Sequence, residues 1–230
     1  MVSVALASYN GEKYIKQQLE SVLINLNEND EVIISDDGST DRTIEIIKSL
    51  NDSRIKVFEG PQKNINQNFA NAIKHCSGDY IFLCDQDDVW YQNKVSTVLS
   101  AFQKYNCIAI AHDAVVVNSE GETIIKSFFE YRRVQTGFVK NIIRNTYHGC
   151  CMAFKSELKE KLFPFPDSGC LHDQWIGLIA ELNGKTMFLP EILMEYKRHG
   201  NNASSFKHYP LMKMITNRIK LIKALICKLM

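Results

Sequence analysis

The chain has 230 residues, 45% of them hydrophobic and 23% charged, with a formal net charge of +1. That length suits one large domain, or one domain with a tail, around a substantial core, and the near-neutral charge excludes a nucleic-acid binder that works by bulk charge. Seven cysteines, an odd number with no Cys-x-x-Cys pair, argue against a disulfide framework and a zinc site and fit a reducing cytoplasm. In chain order, a strand-like run over 2–6 starts at once, so no leader is expected, and no apolar run reaches the ~18–20 residues of a membrane span. It ends at Ser8-Tyr9-Asn10-Gly11, and Ile15, Leu19, Val22 and Leu26 then recur at helical spacing. A second strand over 31–35 runs into Asp36-Asp37-Gly38-Ser39-Thr40-Asp41. A helix through Ile44, Ile47 and Leu50 follows, with Ser39 or Thr40 as its N-cap. A third strand over 55–58, a helix over 68–75 and a fourth strand over 80–84 continue the alternation. This predicts an α/β fold, a mostly parallel, Rossmann-like sheet flanked by helices. Further on come a helix to about Tyr105, a long strand over 107–117, a turn over 118–121 and an aromatic, basic stretch over 128–133 with no clear period. A short strand over 150–154, a helix from Ser156, another from Leu171 through Leu182, and short strands over 185–189 and 192–196 predict a second half that extends the sheet.

The fourth strand stops at Asp85-Gln86-Asp87-Asp88, three carboxylates within four positions. Such crowding costs electrostatic energy unless a cation sits among them. A hard divalent ion takes oxygen ligands of this kind, and Mg2+ shares them with substrate phosphates; an acidic turn capping the next helix uses the same residues. Ligands of parallel sheets bind beyond the carboxyl ends of the strands. Ser8-Tyr9-Asn10, Asp36-Asp37 and Asp85 to Asp88 all fall at such ends. Asp36-Asp37 suits a ribose hydroxyl or base N–H, or a helix cap. Neither Gly-x-Gly-x-x-Gly after the first strand nor a P-loop is present, so a metal at Asp87 is what would neutralise a diphosphate. Asp173, opening a helix, suits either a general base or a favourable helix dipole, and Trp175 reads as a core or wall aromatic. His199, between Arg198 and Gly200, suits phosphate contact or metal ligation; His148, before Gly149, is a second candidate. After Glu195 there is no acidic residue. Lys213, Arg218, Lys220, Lys223 and Lys228 accompany an apolar stripe through Leu211, Ile215, Ile219, Ile222 and Leu225. A basic amphipathic helix of this kind fits an anionic membrane surface, or packs on its own domain or on a second copy, which leaves a homodimer open.

In order, Ala7-Ser8-Tyr9-Asn10-Gly11, Ser35-Asp36-Asp37-Gly38-Ser39-Thr40-Asp41, Gly78-Asp79-Tyr80, Asp85-Gln86-Asp87-Asp88-Val89-Trp90, His172-Asp173-Gln174-Trp175 and Tyr196-Lys197-Arg198-His199-Gly200-Asn201-Asn202 together resemble the family 2 glycosyltransferases, inverting enzymes with the GT-A fold. The likeness runs from Val2 to about Asn202. The Asp-Gln-Asp-Asp-Val-Trp and Arg-His-Gly-Asn-Asn forms are most similar to bacterial rhamnosyltransferase-type members that build capsule, O-antigen or cell-wall polysaccharide. The resemblance implies a GT-A domain over 1–205, with a nucleotide-binding half at 1–105 and an acceptor half at 106–205, ahead of the basic helix at 206–230. It implies nucleotide binding by Ala7, Tyr9, Asp36, Asp37, Asp85 and Gln86, Mn2+ or Mg2+ at Asp87 with His199 nearby, and Asp173 as catalytic base. Asn68, Asp88, Trp90, His148, His172, Trp175 and Arg198 are the expected donor or acceptor contacts. Two departures accompany it: the segment before Asn68 is short and lacks a glycine, and His172 stands where many relatives carry Glu. The implied partners are a dTDP- or UDP-sugar, with dTDP-rhamnose favoured, and a glycan or lipid-diphosphate-linked acceptor at the cytoplasmic face of a bacterial membrane. Two other readings make different demands. A sugar-nucleotide nucleotidyltransferase needs a Gly-rich basic loop after the first strand, which Ser8-Tyr9-Asn10-Gly11 is not. A non-catalytic sugar-nucleotide or membrane-surface module predicts binding without metal-dependent turnover.

Overall fold

A computed structural model of the chain describes residues 1–200, 202 and 210–229. Asn201, Lys207, His208 and the expected boundary at 205/206 lie outside them. The apolar runs form the parallel heart of a sheet. β1 (Val2–Ser8), β2 (Glu31–Asp36), β3 (Ile55–Glu59) and β4 (Tyr80–Asp85) lie side by side in the order β3-β2-β1-β4. Strands buried on both faces read as continuous apolar runs, and alternation then sorts their side chains. Val4, Leu6, Ile34 and Phe82 face α1 (Ile15–Leu23) and α2 (Thr43–Ser49), whereas Ala5, Ile33 and Leu83 face α3 (Ile65–His75).

The end of the sheet away from the strand-end acids is tied by two other carboxylates. Asp30 accepts the Val2 amide at 2.7 Å, and Glu31 accepts the Ser3 hydroxyl, the Ser77 amide and Lys56 Nζ at 2.6, 2.7 and 2.8 Å. Burial opposes the charge on Glu31, but these donors outweigh it and hold the carboxyl down to about 2.

The second half completes a sheet of nine strands among the described residues. β8 (Met152–Lys155) pairs antiparallel with β4 and with β6 (Ala109–Val117), β6 runs parallel to β9 (Thr186–Lys197), and β5 (Val89–Trp90) closes on β9. Several expectations change here. The two short strands at 185–189 and 192–196 are one strand, interrupted where the register jumps from His112↔Leu189 to Asp113↔Ile192. The jump spans Pro190, which has no N–H to give the ladder. The strand expected over 150–154 starts as a 3-10 turn over Gly149–Cys151. The aromatic stretch is a helix, α5 (Phe128–Arg132), capped by the Ser127 hydroxyl accepting the Glu130 amide at 3.0 Å. Ser39 and Thr40 do not cap α2: Asp41 accepts the Thr43 amide at 3.0 Å, while the Ser39 hydroxyl turns to Asp36 at 2.6 Å. α4 (Lys94–Tyr105) packs on one face; β7 (Thr123–Ile125) and the short helices α6 (Phe138–Ile143) and α7 (Lys159–Leu162) complete this half before α8 (His172–Asn183).

α8 carries Asp173 in its first turn and is buried along most of its length. It lies so close to Tyr147 that a Cβ on Gly177 would sit 2.2 Å from the Tyr147 ring. The Tyr147 hydroxyl donates to Glu181 at 2.6 Å, locking the ring against the helix. α9 (Leu211–Leu229) sets Leu221 and Leu225 into the same core. No helix among the described residues is long and apolar enough to cross a membrane. Gly177→Ala should lower stability by about 1–3 kcal/mol through overpacking, measured as a fall in the urea midpoint at unchanged m-value.

Candidate active site

The parallel strands bring the polar clusters to one edge because their registers coincide: Ala7 stands beside Asp85, and Ser8 beside Asp36. The loop after β1 is then built around Gln86. Its side-chain amide makes a two-way bridge to Tyr9, accepting the amide at 2.9 Å and donating to the carbonyl at 3.0 Å. Gly11 permits this approach, since a Cβ there would meet Gln86 Oε1 at 2.4 Å. Asn10 adopts a left-handed conformation (φ 49°), donates its amide to Ser39 Oγ at 2.8 Å and accepts the Thr40 amide at 2.8 Å, tying the first two loops together.

A cleft of about 300 Å³ opens over this edge, and Ala7, Tyr9, Asp37, Asn68, Asp85, Gln86, Asp87, His148, His172 and Asp173 line it. Tyr9 is 56% exposed, leaving its ring free to receive a planar group. Asp37 is fixed by the Gln62 amide, and Asn68 Nδ2 donates to the Ser8 carbonyl at 3.2 Å. Asp87 Oδ2 accepts from His199 Nε2 at 2.9 Å and Asn202 Nδ2 at 3.2 Å. The imidazole is stacked on Tyr14 with centroids 4.4 Å apart.

Across the cleft, Asp173 is 6% exposed, and its Oδ1 takes both the Asn145 side-chain amide at 3.1 Å and the Gln174 amide at 2.6 Å. Desolvation nevertheless raises its carboxyl to about 6. Asp85 goes up to about 7, first through desolvation and then through the charges of Asp87 and Asp173. Asp87 is also raised by burial, against the pull of His199. Two imidazoles complete the wall. His172 stacks on Phe69 at 3.9 Å and His148 on Phe128 at 4.5 Å. Burial pushes both down to about 3, so they are neutral. His148 Nε2 and both ring nitrogens of His172 have no hydrogen-bond partner among the described residues.

Six expected site residues do not line the cleft: His199 meets it only through Asp87, and five others lie elsewhere. Asp36 is buried and bonded to Ser8, Gly38 and Ser39, shaping the loop instead of facing the cleft. Asp88 is buried and accepts the Lys197 amide at 3.0 Å, tying the end of β9 to the acidic loop. Trp90 pairs with Met194 in the core under Lys94, whose Nζ lies 3.9 Å from the ring centroid. Trp175 is 1% exposed and donates Nε1 to the Leu162 carbonyl at 2.8 Å. Arg198 lies outside the cleft wall and donates to the Tyr196 hydroxyl at 2.9 Å. In each case the side chain that the motif presents is consumed by packing or by a local hydrogen bond.

Two residues escaped sequence reasoning. Asn145 lies 28 positions from Asp173 and in no motif. Lys94 is fully buried behind the acidic loop, donates to the Cys150 carbonyl at 2.8 Å and has its pKa lowered by desolvation. A lysine opening a helix after Asn93 gives no sign of this in the sequence.

Among the described residues, one cluster and one pair offer donor atoms to a cation. Asp85, Asp88 and Cys150 offer atoms within 4.8 Å of one another, but Asp88 and Cys150 are wholly buried away from the cleft wall. A thiol also suits a softer ion than Mg2+ or Mn2+. Asp87 opens to the cleft, where its carboxylate oxygens match Mg2+ or Mn2+, with the His199 imidazole beside it. The second set fits better.

A family model for glycosyl transferase family 2 matches residues 3–163. The chain is 26% identical over 212 residues to the UDP-Glc:alpha-D-GlcNAc-diphosphoundecaprenol beta-1,3-glucosyltransferase WfgD of Escherichia coli, spanning 90% of this chain and 81% of that protein. It is 27% identical over 213 residues to the dTDP-rhamnosyl transferase RfbG of Shigella flexneri, spanning 86% and 72%. Its fold matches that of S. aureus TarS 1–349 in complex with UDP-GlcNAc with a TM-score of 0.77 at 20% identity, over 97% of this chain but only 66% of the TarS fragment.

In metal-free protein, carbon-detected NMR should find the Asp173 carboxyl titrating near 6. Asn145→Ala, which removes a donor to the charged form, should move that midpoint upward.

Proposed function

The chain belongs to glycosyl transferase family 2, and on that premise we propose that its cleft moves a sugar, with inversion, from a nucleoside diphosphate sugar to a hydroxyl of a glycan or lipid-diphosphate-linked acceptor. One observation carries the reading: Asp85, Asp87 and Asp173 open onto a single cavity at the carboxyl edge of the parallel strands. Ala7, Tyr9 and Asp37 receive the base and ribose, the exposed Tyr9 ring offering a stacking face and Asp37 an acceptor. Gln86 keeps the Tyr9 loop in place. Asp87 and His199 hold Mn2+ or Mg2+, whose charge, when bound, stabilises the departing diphosphate by several kcal/mol.

Asp173 then does the proton work. Both donors to it fall on Oδ1, which orients the carboxylate and leaves Oδ2 to take the proton of the acceptor hydroxyl. The acceptor oxygen bonds to the anomeric carbon as the bond to the diphosphate oxygen breaks on the opposite face. One displacement inverts the centre without a covalent nucleophile. A carboxyl near 6 is more basic than an ordinary aspartate yet ionised at neutral pH. The neutral rings of His148 and His172 line the acceptor side of the cleft without adding charge.

The names of RfbG and WfgD support dTDP-rhamnose and UDP-hexoses as donors, and the diphosphoundecaprenol in the latter name supports a lipid-linked acceptor. We assign the transfer to surface-polysaccharide synthesis at the cytoplasmic face of a bacterial membrane, with residues 1–105 serving the donor, 106–205 the acceptor and 206–230 the membrane side.

Asp173→Asn should reduce transfer by ~10²–10⁴-fold while leaving UDP or dTDP binding intact by calorimetry; full turnover would remove Asp173 from the mechanism. In the wild type, kcat/KM should fall as pH drops through about 6, because protonated Asp173 accepts no proton. Mn2+ at a hundred times its Kd should stabilise the fold by about 2.7 kcal/mol, or roughly 5–10 °C in Tm. That shift should vanish in Asp87→Asn.

A further inference from the structure

α9 is not a loose tail. Leu221 and Leu225 are buried in the domain, Arg218 donates to the Ile143 carbonyl at 3.1 and 3.0 Å, and Lys228 Nζ donates to the Phe163 carbonyl. Gly169, at φ +102°, lets the chain press on the helix so closely that a Cβ there would lie 2.7 Å from Lys220 Cβ. With one face so seated, two others look outward. Leu211, Ile215, Ile219, Ile222, Ile226 and Leu229 form a stripe of residues 42–70% exposed, spaced three or four apart and therefore on one side of the helix. Lys213, Lys220 and Lys223 are exposed along the adjoining side.

The stripe continues onto α6. The Arg218 bond draws the end of α6 alongside, and there Ile143 and Val139, one turn apart, are 68% and 67% exposed. Exposed apolar side chains clustered in this way mark an interaction site. Charge selects the occupant. No acidic residue follows Glu195, and Asp167, two positions before Gly169, accepts a hydrogen bond from Gln67 at 2.9 Å. A second copy would bring the same lysines to the contact, whereas an anionic bilayer supplies the opposite sign.

We infer that the outward side of α9, with Val139 and Ile143 of α6, is a docking surface for an anionic lipid bilayer, the stripe entering the acyl boundary and the lysine row meeting headgroup phosphates. At 19 residues the helix is about 28 Å long, and a helix lying in the interface buries its apolar side ~5–10 Å deep. Gly169, against the lysine side, leads within two residues to Leu171, which lines the cleft just before Asp173. Docking therefore brings the Asp173 wall toward the headgroups, where a lipid-linked acceptor carries its diphosphate. The surface gives a location to the acceptor reading above, but its test does not depend on sugar transfer.

The full chain should co-sediment with vesicles of equal parts phosphatidylcholine and phosphatidylglycerol, and not with phosphatidylcholine alone. Replacing Lys213, Lys220 and Lys223 together by Gln should weaken binding roughly a hundredfold. Replacing Ile219 and Ile222 by Ser should weaken it roughly tenfold or more, with UDP binding and Tm of both variants near wild type. Wild-type protein left in the supernatant with anionic vesicles, or variants that bind as well as wild type, would overturn the docking surface. So would Ile219→Ser/Ile222→Ser splitting a dimer in sedimentation velocity while vesicle binding stays the same. Nucleotide release from UDP-glucose and dTDP-rhamnose with Mn2+, read on the same preparations, separates the two ideas. Turnover without vesicle binding overturns docking alone, and vesicle binding without turnover overturns the transfer reading alone.

Discussion

Carboxylates crowded into a poorly solvated cleft dominate this molecule. Asp85, Asp87 and Asp173 line one cavity, and Asp88 is buried directly behind them. Desolvation pushes all four above the usual carboxylate range, and the charges of neighbouring acids add to the rise at Asp85 and Asp88. Such an arrangement stores unfavourable energy unless positive charge and donors are held nearby. Much of the surrounding structure serves that need.

The compensation comes from separate parts of the chain. His199 and Asn202 reach Asp87 from the loop after β9, while the Lys197 amide holds Asp88. Lys94 lies under the acidic loop, fully buried, its ammonium on the Cys150 carbonyl and over the Trp90 ring. Among the described residues no carboxylate contacts it; desolvation lowers its pKa, and the nearby Asp88 only partly opposes that. Asn145 completes the set on the Asp173 side. A site that is uncomfortably negative by itself is one that a cation or a proton would relieve.

The first half of the fold was legible because its signals are local. Apolar runs ending in polar clusters predict parallel strands whose ends share an edge, and the registers of β1 with β2 and β4 bear this out. The second half was less legible. α6, β5 and β7 are short and take their stability from neighbours, and β9 was divided in two because Pro190 breaks its ladder without ending it. Within the motifs, residue type did not reveal direction. Asp36 and Asp37 are adjacent, yet only Asp37 meets the cleft, and Trp90 and Trp175 fill the core.

What the amino-acid order determined by itself was the alternation of strands and helices, the placing of acids at strand ends and the basic, amphipathic character of α9, since each depends on near neighbours in the chain. Tertiary structure alone decided which carboxylates share a cavity, that Asn145 and Lys94 serve them, and that α9 seats one face on the domain while turning its isoleucines outward. Those outcomes depend on distances between residues far apart in the chain. Electrostatic and packing energies fall off over a few ångströms of space, and the linear sequence carries no direct measure of that separation.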